Sequence, residues 1–163
     1  MKKLLIALAM LPALACADNG AYVGVQYSNV DAEEVSLGAL GLQAGYQFSE
    51  YLSAEGRMGV GISDDTYMGV DIELNNYFGA YLKAQYPTAS GFSPYALLGY
   101  SKGELEASFQ GESLSEDESD MSYGVGVEYD LGNRFLLGVE YLVLIDKDGY
   151  EINNLSFGGR YRF

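Results

Sequence analysis

Six ionisable side chains are the strongest candidates for a functional site. They lie in segments where small or polar residues alternate with large apolar ones. They are Glu55, Arg57, Lys83, Glu128, Glu140 and Arg160. If the alternation is that of β-strands, all six side chains point to one face of a sheet, because successive residues of a strand face opposite sides. We therefore expect them to form a network of ion pairs and hydrogen bonds that fills an enclosed space.

The residue types on which most enzymes and metal sites depend are nearly absent. The chain has 0 His and 1 Cys, which excludes histidine-based catalytic triads and the usual zinc sites. Asp64 and Asp65 are adjacent carboxylates without a supporting motif, and the acidic run 116–118 lacks the glycine-bearing spacing of a Ca²⁺-binding loop. We expect no enzymatic activity, no cofactor and no metal site.

The balance of charge excludes a further class of partner. The chain has 9 Lys and Arg against 23 Asp and Glu, which gives a net charge of -14. Nucleic-acid binding depends on basic residues that neutralise phosphates. Nucleic acid is therefore not an expected partner.

The first 17 residues have the pattern of a cleaved secretory signal. Lys2 and Lys3 supply positive charge, residues 4–14 form an apolar run, and residues 15–17 read Ala-Cys-Ala. The apolar run is shorter than the roughly 20 residues of a transmembrane helix. We expect cleavage after Ala17, which leaves one domain over residues 18–163. The alternative is a lipoprotein signal, cleaved before Cys16 so that this cysteine carries lipid.

Beyond the leader, apolar and polar residues alternate with a period of two in almost every segment between turn signals, which predicts an all-β domain. The alternation is clearest in the last segment, where Leu155, Phe157, Gly159, Tyr161 and Phe163 share one face, and weakest at residues 66–76. Eight strands are predicted, at residues 21–29, 37–48, 51–62, 72–86, 92–104, 122–131, 134–146 and 154–163. We expect an antiparallel up-and-down barrel in which the first strand pairs with the last.

The connections between the predicted strands alternate between short and long. Short turns fall at residues 49–50, 87–91 and 132–133, and longer polar connections at 30–36, 63–70, 105–120 and 147–150. This asymmetry is typical of outer-membrane barrels, which have periplasmic turns and extracellular loops. The longest connection carries Glu112, Glu116, Asp117, Glu118 and Asp120, and we expect it to be a solvated, mobile loop.

Soluble and transmembrane barrels differ in which face lies inside. A soluble lipocalin-like carrier turns its apolar face inward around a ligand, whereas a membrane barrel turns it toward lipid. The polar face of this sequence is mostly Gly, Ser, Asn and Gln with few ions, which suits a crowded lumen better than a solvated exterior. Tyr and Phe also cluster near predicted strand ends, as in aromatic girdles: Tyr22, Tyr27, Tyr46, Phe48, Tyr51, Tyr86, Tyr100 and Tyr129. We therefore expect an eight-stranded transmembrane β-barrel, with a soluble periplasmic carrier as the alternative.

Several short segments resemble the OmpA/OmpX-like family of eight-stranded outer-membrane β-barrels. They are Gly45-Tyr46-Gln47, Tyr86-Pro87, Val127-Glu128-Tyr129, Val139-Glu140-Tyr141 and the terminal Tyr161-Arg162-Phe163. The resemblance implies location in the Gram-negative outer membrane and contact with its lipid and lipopolysaccharide. It also implies that Phe157, Tyr161 and Phe163 form the signal read by the barrel-assembly machinery. The family pairs acids and bases across the lumen, but the basic residue that it places two positions before Glu140 is Gly138 here.

Two functions follow from these expectations. The first is a structural or surface-interaction role for a monomeric barrel whose lumen is filled by side chains. The second is a narrow, gated, porin-like pore in which Glu128, Glu140 and Arg160 line a constriction.

Overall fold

The computed structural model describes residues 20–32, 35–67, 70–109, 112–147 and 150–163. These residues form one antiparallel sheet. Its strands are β1 (Ala21–Ala32), β2 (Val35–Gln47), β3 (Leu52–Gly61), β4 (Asp64–Tyr67), β5 (Val70–Gln85), β6 (Phe92–Phe109), β7 (Glu112–Gly132), β8 (Phe135–Lys147) and β9 (Tyr150–Arg162). No helix in these ranges is long and apolar enough to cross a membrane.

The sheet closes on itself. Strand β1 pairs with both β2 and β9, and β3 pairs with β5. Strand β4 pairs with β5 beyond the end of β3, so β3 and β4 occupy one position in the wall. The nine strands therefore fill eight positions, which confirms the predicted eight-stranded barrel and the pairing of the first strand with the last. Where β3 forms part of the wall, it pairs with β2 on one side and β5 on the other, so this part of the barrel has no free strand edge, as hydrocarbon requires.

The two ends of the barrel differ in how the strands are joined. At one end, here called the turn end, β2–β3, β5–β6 and β7–β8 are joined through residues 48–51, 86–91 and 133–134. At the other end, here called the hairpin end, β1, β4, β6 and β8 run out to Ala32, Tyr67, Phe109 and Lys147. The strands at the hairpin end are longer than the sequence pattern predicts.

The largest difference concerns residues 105–120, for which a mobile loop was expected. This prediction is wrong. Strands β6 and β7 continue through the region in unbroken register, from Ser101 opposite Asp120 to Phe109 opposite Glu112. Two antiparallel strands pair through the N–H and C=O groups that point toward each other, whatever their side chains are, and water can satisfy the groups that point away. They can therefore extend beyond the membrane, where the alternation that reveals a strand is no longer required.

Large apolar side chains face outward around the barrel. Val25, Leu98 and Phe157 have exposed fractions of 60%, 54% and 56%. On the opposite face of the strands Glu55 and Lys83 are 4% and 2% exposed. The described chain thus has the polar-inside, apolar-outside arrangement of a membrane barrel, and not the inward apolar face of a lipocalin-like carrier.

Aromatic rings form a belt near the turn end. Ring centroids lie 5.6 Å apart in Tyr46–Phe48, 4.7 Å in Phe92–Tyr129 and 5.0 Å in Phe135–Tyr161. Tyr22, which was assigned to this girdle from its place near a strand end, instead points into the lumen and is 5% exposed. Tyr22 is separated by an even number of positions from Gln26 and Ser28 on β1, so it faces the same side of the strand as these two buried residues.

Inward tyrosines lie against glycines of neighbouring strands. Tyr77 reaches from β5 across Gly59 and Gly41, and Tyr95 covers Gly126. A β-carbon at any of these glycines would overlap the tyrosine ring. Close packing of large rings in an eight-stranded lumen therefore depends on the absence of a side chain opposite them.

Candidate functional site

The structure brings the six acids and bases singled out from the sequence together in the lumen. Strand β3 contributes Glu55 and Arg57, and β5, β7, β8 and β9 contribute one residue each. All six are buried, with exposed fractions between 2% for Lys83 and 8% for Arg160. Each of the six occupies a position whose side chain faces the inside of the barrel. The closed wall therefore directs all six side chains toward the barrel axis.

The six residues form one chain in which acids and bases alternate, Lys83–Glu128–Arg160–Glu55–Arg57–Glu140. Lys83 Nζ lies 2.6 Å from Glu128 Oε2. Arg160 pairs with Glu128 and lies 3.6 Å from Glu55 Oε2. Arg57 pairs with Glu55 and makes a two-point contact with Glu140, in which Nη2 lies 2.8 Å from Oε2. Three carboxylates therefore face three cations, and the charges of the six balance.

Tyrosines complete the network, and the sequence analysis did not identify them as lumen residues. Tyr22 donates a hydrogen bond of 2.7 Å to Glu55 Oε2, and Tyr95 donates one of 2.9 Å to Glu140 Oε2. Lys83 Nζ lies 4.2 Å from the centre of the Tyr95 ring. The guanidinium carbon of Arg57 lies 4.8 Å from the centre of the Tyr81 ring. These contacts surround the buried charges with tyrosine hydroxyl groups and aromatic rings.

Strand parity is the signal that could have identified these tyrosines. Tyr81 lies two residues before Lys83, and Tyr22 lies four before Gln26. Residues separated by an even number of positions share a face of a regular strand. Because tyrosine occurs both in lipid girdles and in polar interiors, its type alone does not distinguish the two locations.

A further ion pair lies outside this network, near the turn end. Arg162 pairs with Asp130, but the two side chains are 37% and 40% exposed. Ion pairs with this much access to water contribute little to stability. The pair thus provides a contrast to the buried six.

Toward the hairpin end the lumen becomes less polar. Gln26 Nε2 donates to Tyr77 Oη at 3.2 Å, and Ser122 Oγ donates to Ser101 Oγ at 2.7 Å. Leu97 and Leu142 pack with Tyr81 and Tyr95. Closer to the hairpin end, buried apolar side chains form a cluster that we call the apolar layer: Val30, Leu37, Ala39, Leu74 and Ile152.

The space left inside is small. A cavity of about 10 Å³ lies beside the ionic network, between Gln43, Tyr95, Glu140 and Arg160. This is close to the volume occupied by one water molecule by the same measure. The described part of the lumen is filled by side chains rather than open to solvent.

The three residues predicted to act in assembly lie on the outer face of β9 or directly after it. Phe157 is 56% exposed, and its partners in the ladders are Tyr27 and Val139. The ring of Tyr161 packs between Phe135 and Phe163, at centroid distances of 5.0 and 5.4 Å. The backbone N–H of Phe163 donates to the carbonyl of Ala21 at 3.0 Å. Their role as an assembly signal stays a prediction.

The side chains of Asp64, Asp65 and the acidic run 116–118 lie outside the described residues. Among the side chains that are described, no group of three His, Cys, Asp or Glu residues is arranged to hold a metal ion.

Comparisons with known proteins agree with this architecture. Residues 3–163 match the family model described as outer membrane protein beta-barrel domain. The attachment invasion locus protein of Yersinia enterocolitica is 32% identical over 71 residues, which are 44% of this chain and 39% of that protein. The chain thus matches only about two-fifths of the length of this relative.

Solved structures of outer-membrane barrels share the fold. The Yersinia pestis attachment invasion locus protein Ail, in complex with the heparin analogue sucrose octasulfate, has a TM-score of 0.64 at 19% identity, with 89% of this chain and 97% of that chain covered. The N-terminal β-barrel domain of Pseudomonas aeruginosa OprF has a TM-score of 0.67 at 12% identity, covering 90% of this chain and 100% of that chain. With its closed wall, apolar exterior and family match, the chain belongs to the outer membrane protein β-barrel domain family and is a protein of the Gram-negative outer membrane.

Proposed function

We propose that this protein is a non-conducting and non-enzymatic barrel that acts through its surface at the hairpin end. The observation that carries the proposal is the filled lumen. An ionic network and an apolar layer follow each other along the barrel axis. A solute would have to break buried ion pairs and then cross an apolar zone, so the membrane-spanning part serves best as an anchor.

The absence of catalysis is part of the same proposal. Each carboxylate of the network is paired with a cation, and Glu55 and Glu140 also accept hydrogen bonds from tyrosines. Carboxylates engaged in this way are poor general bases for a substrate, because a base must reach the proton that it abstracts. The chain has 0 His to replace them.

The hairpin end supplies a surface on which partners could bind. The paired strands extend farthest from the ionic network at the hairpin end, where β6 and β7 continue from Ser101 and Asp120 to Phe109 and Glu112. Outer-membrane barrels place their longer extensions outside the cell, so we assign the hairpin end to the extracellular side. A related Yersinia protein is named for attachment and invasion, which supports a role in attachment.

The chemistry of the partner is expected to differ from that of the sulfated sugar in the Ail complex. Residues 102–120 contain seven acidic residues and one basic residue, Lys102. Polyanions are repelled by such a segment, whereas cationic or neutral surfaces are not.

We further propose that the barrel is a monomer, that its outer face contacts lipid and lipopolysaccharide, and that β9 is read by the barrel-assembly machinery.

Planar-bilayer recording tests the lumen part of the proposal. The purified, folded protein is expected to give no discrete conductance steps over baseline. Reproducible single-channel steps that change in Glu140→Gln would contradict the proposal and establish the gated pore instead.

Attachment to epithelial cells tests the surface part. Glu104 and Asp117 are opposite each other in the ladder, so residues 105–116 can be replaced by Asn-Gly without changing the register of the membrane part. A Gram-negative host that produces the full chain is expected to attach more than a host without it, and the shortened variant is expected to lose this gain. A variant with Ser49-Glu50 at the turn end changed to Asn-Gly is the matched control. Equal attachment by the full and shortened chains would exclude the hairpin end as the binding surface.

A further inference from the structure

Three buried side-chain oxygens of the described chain have no protein partner, and that of Gln43 lies in the lumen beside the ionic network. The side-chain oxygen of Gln43 makes no hydrogen bond among the described residues, and Gln43 is only 4% exposed. Leaving an acceptor buried without a donor costs free energy comparable to a lost hydrogen bond. Such an atom therefore needs a donor that the protein itself does not supply.

The same residue lines the cavity of about 10 Å³ beside the ionic network. The other polar residues around this cavity are Gln26, Tyr95, Glu140, Ser156 and Arg160. A buried water molecule needs room for one molecule and two to four polar partners. The cavity offers both.

We propose that this cavity is a binding site for one ordered water molecule, which donates a hydrogen bond to Gln43 Oε1. A cation is disfavoured there because Arg160 lines the cavity and because the three carboxylates of the network are already matched by three cations. An anion is disfavoured by Glu140 and by the absence of a donor on the free Gln43 oxygen. Water, which is neutral and can both donate and accept, fits the remaining requirements.

Gly138 provides a way to remove the water without removing Gln43. It also lines the cavity, and a β-carbon there would lie 3.3 Å from Glu128 Cγ and 3.9 Å from Tyr95 Oη. The methyl group of Gly138→Ala therefore enters the cavity with only a small adjustment of a flexible side chain. Gly56→Ala is the matched control, since the nearest atom to its added carbon is 4.0 Å away.

The first test is a crystal structure of the processed barrel at a resolution that shows ordered waters. The expected result is one peak within hydrogen-bond distance of Gln43 Oε1, present in the wild-type chain and in Gly56→Ala and absent in Gly138→Ala. An empty cavity in the wild-type chain, in a map that shows other ordered waters, would overturn the proposal. A peak with contacts near the short distances of a metal ion, which changes in height when Na⁺ is exchanged for K⁺, would also overturn it.

Stability gives an independent readout. Gly138→Ala leaves Gln43 Oε1 without a donor, so its urea midpoint of unfolding is expected to fall below that of wild type. Gly138→Ala combined with Gln43→Leu removes the acceptor as well, and part of the lost midpoint is expected to return. A double variant whose midpoint does not rise above that of Gly138→Ala alone would contradict the loss of a water-mediated hydrogen bond to Gln43 Oε1.

Discussion

At the scale of single residues, Arg57 occupies the position on which most of the ionic network depends. It joins Glu55 to Glu140 and lies over the ring of Tyr81. Without it, Glu140 would retain Tyr95 as a hydrogen-bond donor but no cation. A buried charge that loses its partner is far more costly than an exposed one, because little solvent is available to replace the partner.

We therefore expect Arg57→Met to lower the free energy of unfolding by about 3–5 kcal/mol. Arg162→Met, which breaks the half-exposed pair with Asp130, is the control and is expected to cost less than about 1 kcal/mol. The chain has 0 Trp, so urea unfolding should be followed by circular dichroism or by the gel shift on heating. Equal losses for the two variants would mean that the buried network does not stabilise the barrel.

A second expectation at this scale concerns the glycines beneath the inward tyrosines. The β-carbon of Gly41→Ala would overlap the hydroxyl of Tyr77, and this hydroxyl also accepts a hydrogen bond from the side-chain N–H of Gln26. Overpacking of this kind typically costs about 1–3 kcal/mol. Gly56→Ala, on the open outer face, is expected to show no loss in the same unfolding assay. A Gly41→Ala chain as stable as wild type would mean that Tyr77 moves without cost.

At the scale of whole strands, the sequence predicts structure well wherever the two faces of a strand contact different media. In β9, Leu155 and Phe157 face outward while Asn154 and Ser156 are buried, and the same contrast is visible in the sequence. In β8 the face that carries Glu140 also carries Leu136, Leu142 and Leu144, and the structure explains these apolar residues. Leu142 packs with the tyrosines in the lumen, and Leu144 packs against the apolar layer, so the interior is not polar along its whole length.

The alternation of apolar and polar residues does not predict the structure where a β-bulge changes the spacing of a strand or where a strand extends beyond the membrane. Between Leu74 and Asn76 a β-bulge shifts the register of β5. As a result Leu74 and Tyr77, three residues apart, both reach the interior. This irregularity interrupts the alternation at the end of residues 66–76. At the hairpin end the pattern fades because paired strands in water need no apolar face. Except for Glu55 and Arg57, which share β3, the ion-pair partners could not be predicted either, since they lie on strands that are distant in the sequence.

Engineered cysteines can test the extension of β6 and β7. Glu104 and Asp117 face each other in the ladder, which places their α-carbons within the range that a disulfide bridges. In a Cys16→Ala background, Glu104→Cys with Asp117→Cys is expected to form a disulfide on mild oxidation in the folded barrel. Glu104→Cys with Glu112→Cys is out of register and is expected to remain reduced. Equally rapid oxidation of both pairs would restore the mobile loop for residues 105–120.

At the scale of the whole molecule, charge is distributed unevenly. Three cations balance three carboxylates within the lumen network, so these six residues contribute nothing to the net charge of -14. The excess negative charge must lie on other parts of the chain, and residues 102–120 hold a large share of it. A neutral interior suits the membrane, whereas a charged end keeps the part that extends from it solvated.

Processing of the precursor is a prediction about the molecule as a whole. We expect the outer-membrane protein to begin at Asp18, and Cys16→Ala to be processed in the same way. Intact mass and N-terminal sequence of the purified protein provide the measurement. A chain that begins at Cys16 with the added mass of lipid, and a Cys16→Ala precursor that stays uncleaved, would instead establish a lipoprotein.

The continuation of the barrel wall beyond the membrane affects how an antibody would recognise this protein. In the ladder, Asp64 lies opposite Glu73, and Glu73 lies opposite Glu106. A patch of this part of the wall therefore combines backbone positions from β4, β5 and β6, and the position on β6 is far from the other two in the sequence. Antibodies raised against the folded barrel should consequently bind discontinuous epitopes, and short peptides copied from any one strand should neither compete with the folded protein nor elicit serum that recognises it.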